Sequence, residues 1–410
     1  MAGKTTTAAQ ANTGQGPWLL AVLSLLLGFA SISTDLFLPA LPTMQVALHA
    51  NEGLLQFAIS GYLLGFGFGQ LFWGPVSDRF GRRGPAALGI LIFVIGSAGC
   101  ALSSDGWQLI GWRVVQALGA SAGVALARAM VRDLYDRDRA AKVLSTLMTV
   151  MAIAPLVGPS VGAQILAWAS WQAIFWVLVA IGTMTAIAVM TLPETLARDR
   201  RQPDSALQLL AGYGEVLRNR PLIGYAAAIG FFYVGIFANI AGGAFAYIGY
   251  HGLTPEAYGL VFSAGVFGLM IASFVNARLV TRVGSDRMLL AGAIGAAISG
   301  VALALVTSFD LGGVAGLIGT QLLFTGMNGL ILANGVSGAL SSAHRRAGSA
   351  SAVLGAIQYG SGMIGSALVG LLANGTPMPM GLVMALAGVG CLSSTLWVQK
   401  IIKYVDGSKR

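Results

Sequence analysis

Of the 24 Lys and Arg residues in the chain, 23 gather in seven short clusters separated by long apolar runs. If every run crosses a bilayer, all seven clusters fall on one side. Lys4, Arg79/Arg82/Arg83, Arg128 to Lys142, Arg198 to Arg220, Arg278 to Arg287, Arg345/Arg346 and Lys400 to Arg410 lie between even and odd runs or at the termini. The opposite loops carry no Lys or Arg; they hold Glu52, Asp105, Glu256 and Asp310. An odd number of crossings would scramble this asymmetry. By the positive-inside rule both termini are expected in the cytoplasm.

A span needs about 20 apolar residues. Twelve candidates are readable at 18–41, 53–76, 85–103, 107–130, 143–166, 170–192, 221–249, 256–277, 288–307, 311–335, 348–373 and 379–399. With 56% hydrophobic and 10% charged residues, the chain could not cover a soluble surface of its size. The expected fold class is therefore an all-α membrane protein. The +9 net charge follows the loops rather than one patch, so nucleic acid is not an expected partner; membrane lipids are. Residues 1–17 and 400–410 read as cytoplasmic tails. Residues 194–220, with five arginines, one proline and four acids counting Glu194, read as a cytoplasmic linker between six-helix bundles at 18–193 and 221–399. The equal halves suggest internal duplication. The basic, Gly-containing turns at 74–83 and 276–287 occupy the same place in each half.

Two ionisable residues break the pattern. Asp35 lies about 17 residues along the first run, roughly 25 Å at about 1.5 Å per residue. Arg113 lies about six residues inside the fourth run, at similar depth. An ionised carboxylate there costs on the order of 3 kcal/mol, relieved by a partner cation or by a bound proton. Such a group suits proton exchange. Gln116, one turn beyond Arg113, extends a polar face. Gly61, Gly65 and Gly69 recur at four-residue spacing in the second run, and Gly355, Gly362, Gly365 and Gly370 make the eleventh similarly small. These stripes suit either static packing or a sliding interface between halves. Phe231, Tyr233 and Asn239 in the seventh run, with Gln358 and Tyr359 in the eleventh, suit a roomy apolar pocket with few polar anchors. Cys100 and Cys391 have no metal or disulfide spacing. No Walker loop or HExxH motif appears, so neither ATP drive nor an enzyme is expected.

Four segments carry a resemblance. Asp35-Leu-Phe-Leu-Pro39-Ala-Leu-Pro42, Gly74 to Gly84, Arg113-Val-Val-Gln116-Ala-Leu-Gly119 and Ala154-Pro155-Leu-Val-Gly158-Pro159-Ser-Val-Gly162 resemble, in order, four signatures of the major facilitator superfamily. With Leu192-Pro193-Glu194-Thr195-Leu196, they resemble its drug:proton antiporter branch, in the bicyclomycin/chloramphenicol-resistance (Bcr/CflA) group. Gln172 stands where that group usually has Arg.

The resemblance implies two six-helix bundles rocking around a central cavity. It implies proton-coupled efflux of small amphipathic drugs such as chloramphenicol, florfenicol or bicyclomycin, one or several. The alternative is export of a sugar, amino acid or other metabolite. Asp35 would carry the proton and touch substrate, with Arg113 tuning its charge; Gln116, Phe231, Tyr233, Asn239, Gln358 and Tyr359 are the further substrate candidates. Gly74, Asp78, Arg79, Gly81, Arg82, Arg83 and Asp133 would form a cytoplasmic gate. In it Asp78 caps the start of the eleventh helix and Arg82 pairs with Asp133. Pro155, Gly158, Pro159 and Gly162 would bend the fifth helix and let it pack closely. Protons are the only coupling ion implied, with no cofactor and no metal, in a monomer of the bacterial inner membrane.

Overall fold

The computed structural model describes residues 17–135, 137–197, 201, 216–342 and 347–407, and among them there is no β-strand. An all-helical chain is what an apolar solvent requires, because lipid cannot satisfy backbone N–H and C=O groups. Among the described residues, eleven helices are long and apolar enough to cross a membrane. The fifth span, Arg137–Trp168, adds a twelfth crossing with its apolar part at Ile153–Trp168.

Nine spans run as single helices: the second (Glu52–Phe80), third (Arg83–Ala101), fourth (Gly106–Leu134), fifth, sixth (Trp171–Met190), eighth (Pro255–Val283), ninth (Ser285–Phe309), eleventh (Ala347–Leu372) and twelfth (Met378–Gly407). The other three are interrupted. The first is a helix over Pro17–Asp35, a 3-10 turn at Leu38–Ala40 and a short helix at Leu41–Ala47. Pro39 and Pro42 open the second and third of these pieces, where a missing N–H costs least. The seventh, Arg220–Ala244, ends in a π-helical turn at Phe245–Tyr250. The tenth divides at Met327 into Gly313–Gly326 and Asn328–Ser341.

Local chemistry fixes the helix ends. Asn51, Asp105, Asn219 and Thr254 each accept from a backbone N–H in the first turn of the helix that follows. Gly81 and Gly284 end the second and eighth spans at φ +96 and +91, a conformation that disfavours a side chain. The repeated basic turn thus has a backbone reason: both halves turn there on a left-handed glycine.

Packing repeats between the halves as well. The third span packs on the fourth and sixth, as the ninth packs on the tenth and twelfth. The second and fourth pack together, as do the eighth and tenth. The halves meet along two seams, second against eleventh and fifth against eighth, which exchange under the duplication.

The glycine stripe of the second span does not lie in a seam. Gly61, Gly65 and Gly69 face Ile110, Val114 and Ser121 of the fourth span, so static packing within a half is the correct reading. Gly362 and Gly365 likewise seat Phe237 and Val234 of the seventh span. The seam itself is made elsewhere. A Cβ on Gly53 would meet the Gly370 carbonyl oxygen at 2.3 Å, and one on Gly259 would meet the Ser160 backbone at 3.0 Å. Ser60 and Ser366 hydroxyls lie 2.7 Å apart, and Ser263 Oγ donates to the Leu156 carbonyl at 2.6 Å. All four contacts lie toward the face carrying Glu52, Asp105 and Glu256. The halves are therefore closed there.

Candidate functional site

Between the halves lies a cavity of about 350 Å³, lined by the first, second and fifth spans on one side and the seventh, eighth, tenth and eleventh on the other. Asp35 lines it from the end of the first helix and is 5% exposed. Its position is set by the break that follows, which ends the helix at the carboxylate. A helix C-terminus presents carbonyls, so the backbone offers an anion no stabilisation there. No described group donates a hydrogen bond to it.

Arg113 sits behind the cavity wall, fully buried. Its guanidinium is sandwiched between the rings of Phe37 and Tyr62, 4.2 and 4.3 Å from their centroids. Nη1 donates to the Ser33 carbonyl at 2.9 Å and to Gln116 Oε1 at 2.6 Å. Nε and Nη2 have no hydrogen-bond partner among the described residues; the ring faces are their surroundings, an arrangement that favours a desolvated cation. Gln116 Nε2 in turn donates to Ser97 Oγ at 2.8 Å. Tyr62 and Ser33 hydroxyls lie 2.5 Å apart, tying the cavity wall to this cluster. Arg113 and Asp35 form no direct ion pair, yet Asp35 is the carboxylate whose field reaches Arg113.

Tyr233, Asn239, Gln358 and Tyr359 line the cavity. Two further substrate candidates do not. Phe231 is 46% exposed on the outside of the seventh span, its ring over Gly390. Gln116 is buried against Arg113 and Ser97, so it positions the cation rather than meeting cargo. Sequence reasoning missed Tyr62, Thr325 and Asn328, which also line the cavity. Thr325 and Asn328 are polar residues one turn apart in an apolar run, and that spacing was the available signal.

The fifth-span motif meets the break in the first span. A Cβ on Gly158 would lie 3.0 Å from Asp35 Cβ, and one on Gly162 would lie 1.8 Å from the Leu36 carbonyl oxygen. The helix continues through Pro155 and Pro159, and Pro155 lines the cavity. Two stretches, Gly119 to Gly123 and Gly158 to Gly162, spell Gly-x-Ser-x-Gly. Both run inside unbroken helices, without the strand-to-helix turn that exposes a nucleophilic serine.

On the basic face, Arg82 donates from Nε to Asp133 at 2.8 Å and from Nη1 to Asp78 at 2.5 Å and Ser77 at 2.6 Å. Glu194 receives the N–H groups of Arg82, Arg83 and Leu196, and Arg83 Nη1 donates to the Leu192 carbonyl. A Cβ on Gly81 would strike Glu194 Oε2 at 2.5 Å, so glycine is needed for space as well as for φ. Burial alone would push the Glu194 carboxyl up. The three N–H donors and nearby Arg201 outweigh it and hold the group below its ordinary value. Burial likewise opposes charge on Arg82, but Asp133 and Asp78 more than offset this and raise its affinity for the proton.

Three members of the expected gate behave differently. Arg79 lies beside the Phe80 ring at 5.5 Å, outside the ion cluster. Gly74 has nothing within 4 Å of an added Cβ, so no close approach requires it. Asp78 pairs with Arg82; residues 343–346, which precede the eleventh helix it was expected to cap, lie outside the described residues.

A multi-pass bundle of two related halves, closed on one face around a cavity with one buried acid, defines a solute carrier. Residues 23–369 match the Major Facilitator Superfamily domain. YdgK of Bacillus subtilis, described as an uncharacterized MFS-type transporter, is 34% identical over 374 residues, covering 90% of this chain and 92% of that protein. A bicyclomycin resistance protein homolog of Haemophilus influenzae is 31% identical over 362 residues, covering 88% and 90%. The E. coli xylose transporter XylE, in a partially occluded inward-open conformation, shares the fold at a TM-score of 0.73 and 16% identity, covering 93% of this chain and 97% of that one. The chain belongs to the Major Facilitator Superfamily: it is a transporter, not an enzyme.

Proposed function

We propose that this transporter is a proton-coupled antiporter that exports small amphipathic drugs across the bacterial inner membrane, with its basic face and both termini in the cytoplasm. The observation that carries the reading is Asp35: a buried carboxyl group at a helix break, lining the cavity between the halves, with Arg113 nearby but not paired to it. A directly paired acid would be locked as an ion. One held near a cation without contact can be stabilised either by its charge or by a proton. The drug-resistance name of the Haemophilus relative and the apolar majority of the lining support amphipathic cargo.

In this cycle, the protein opens to the cytoplasm with Asp35 ionised and takes up drug. Rocking opens the opposite face, where a proton neutralises Asp35, drug leaves, and the neutral site returns. Arg113 favours proton release on the cytoplasmic side. The protein works as a monomer, and the proton is its only coupling ion.

Proteoliposomes with an imposed pH gradient test this. Wild type should accumulate chloramphenicol or bicyclomycin against its gradient. Asp35→Asn should still equilibrate drug but not concentrate it, and Arg113→Ala should lower the gradient-driven rate. Undiminished accumulation by Asp35→Asn would refute the coupling role. Uptake of a sugar or amino acid in place of either drug would favour metabolite export.

A further inference from the structure

The cavity wall contributed by the second half contains polar groups that the fold leaves unused. Asn239 Oδ1, Thr325 Oγ1 and Asn328 Oδ1 are buried, and none has a hydrogen-bond partner among the described residues. All three residues line the same cavity. Elsewhere in the spans Gln56, Gln70, Gln172 and Arg113 also keep atoms without a partner among the described residues, but none of these four lines the cavity, and several other amides and hydroxyls are satisfied. Asn334 donates to Asn276 at 2.7 Å, and Gln116 is bonded at both ends of its amide. Hydroxyls in the spans fold back one turn onto carbonyls, as half-buried Thr320 does to Gly316 at 2.8 Å and buried Thr395 to Cys391 at 2.9 Å. Thr325, one turn and a half beyond Thr320 on the same span, does not. A buried polar group without a partner is destabilising, so a concentration of them on one wall calls for an absent partner.

The backbone points to the same place. The tenth span divides at Met327, between Thr325 and Asn328. Interrupted helices at mid-membrane are where transporters form solute sites. Tyr233 brings its phenol beside the side chains of Asn328 and Gln358. Tyr258, whose hydroxyl is also unpartnered, lies with Asn239 Oδ1 near Gly243.

Charge sets the ligand class. Asp35 is the only charged side chain among the described residues lining the cavity. It is also the carboxylate whose field reaches the buried Arg113. Acid and cation therefore sum to zero when Asp35 is ionised. A cationic ligand would add an uncompensated charge to a desolvated site, which is costly. An uncharged ligand adds none.

We propose that Asn239, Thr325 and Asn328 form a hydrogen-bonding subsite, on the wall contributed by the second half, that selects uncharged ligands carrying hydroxyl or amide groups. Proton and cargo then occupy different halves of the protein. The inference rests on the transport reading above, and its test separates the two.

Equilibrium binding to the purified full-length protein in nanodiscs is measured with three probes. Chloramphenicol is uncharged with hydroxyl and amide groups, xylose is an uncharged polyol, and tetraphenylphosphonium is a cation without hydrogen-bonding groups. At least one uncharged probe should bind, and more tightly than tetraphenylphosphonium. Asn239→Ala, Thr325→Val and Asn328→Leu should each weaken that probe at least five-fold, equivalent to about 1 kcal/mol. Thr325→Ser should restore affinity. Thr320→Val, whose hydroxyl is already bonded within its helix, should not change it. Size-exclusion profiles confirm that each variant is folded.

Tighter binding of tetraphenylphosphonium than of both uncharged probes overturns the subsite. So does wild-type affinity in all three folded variants, or failure of both uncharged probes to bind. If xylose alone binds and the three substitutions weaken it, the subsite stands and drug export falls. If Asp35→Asn still concentrates drug while the three substitutions weaken binding, the subsite stands and the coupling role falls.

Discussion

The closed face depends on two glycines having no side chains. Gly53 opens the second span and faces Gly370 of the eleventh, where an added Cβ would lie 2.3 Å from a backbone carbonyl oxygen. Real Cβ atoms essentially never approach closer than 3.0 Å, and a carbonyl in a helix cannot swing aside as a side-chain tip can. Gly53→Ala therefore pushes the second and eleventh spans apart on the face that carries Glu52, Asp105 and Glu256. Overpacking of this kind costs about 1–3 kcal/mol. The cost falls only on the conformation in which this seam is closed. The gain in helix propensity from Gly to Ala, about 1 kcal/mol, applies in both conformations and cancels. The equilibrium should therefore move toward opening of this face by about 1–3 kcal/mol, a factor of roughly 5 to 150. Spin labels at Ser104→Cys and Asn374→Cys, both exposed and in opposite halves, report the separation by electron–electron resonance. The native Cys100 and Cys391 are buried and should not label. Gly67→Ala, in the same helix with nothing within 4 Å of its Cβ, is the control. An unchanged distance distribution in Gly53→Ala would show that this glycine contact does not govern closure.

Three other outcomes are expected. In a double-mutant cycle read by reversible unfolding in mixed micelles, removing Arg82 from the largely buried Asp133 should cost about 3 kcal/mol. Coupling of Arg82 to the half-exposed Asp78 should stay below about 1 kcal/mol. Glu194 is held below its ordinary value, so its contribution to stability is present above the unfolded-state value and is lost only as pH falls through the lower folded-state value. Glu194→Gln should accordingly leave the pH midpoint of transport between about pH 5.5 and 8 unchanged, as measured in proteoliposomes. Gly162→Ala must move the Leu36 carbonyl away from the fifth span. It should slow transport at least ten-fold while the protein still folds, as judged by its melting profile.

The span count, the loop asymmetry and the two intramembrane charges were legible because each is an exception to an apolar background. Membrane helices hide other information. In water an apolar face marks the core, whereas in lipid both the core and the outer surface are apolar. Phe231 and Tyr233 are two residues apart in the same apolar run, yet one faces outward and the other lines the cavity. The glycine stripe of the second span gave spacing but not the identity of the helix it faces. Gln116 was correctly placed on the Arg113 side of the fourth span, but its amide is fully occupied there, which only coordinates reveal. The division at Met327 has no proline to announce it.

The first and fifth spans give the acid a mechanical connection that spacing alone did not suggest. Asp35 ends a helix, and Gly158 and Gly162 fit the fifth span against that end, beside Asp35 Cβ and the Leu36 carbonyl. On the same helix, Leu156 and Ser160 make the seam with the eighth span through Ser263 and Gly259. Residues 156, 158, 160 and 162 therefore alternate between the acid and the partner half within about two turns of one helix. A shift of the first-span break is transmitted directly to the backbone that closes the seam. Packed interfaces of small residues have few intermediate positions, so such a shift favours one of two arrangements rather than a graded bend. The glycines of the fifth-span motif thus matter less for bending that helix than for placing one element in contact with both the buried acid and the seam between the halves.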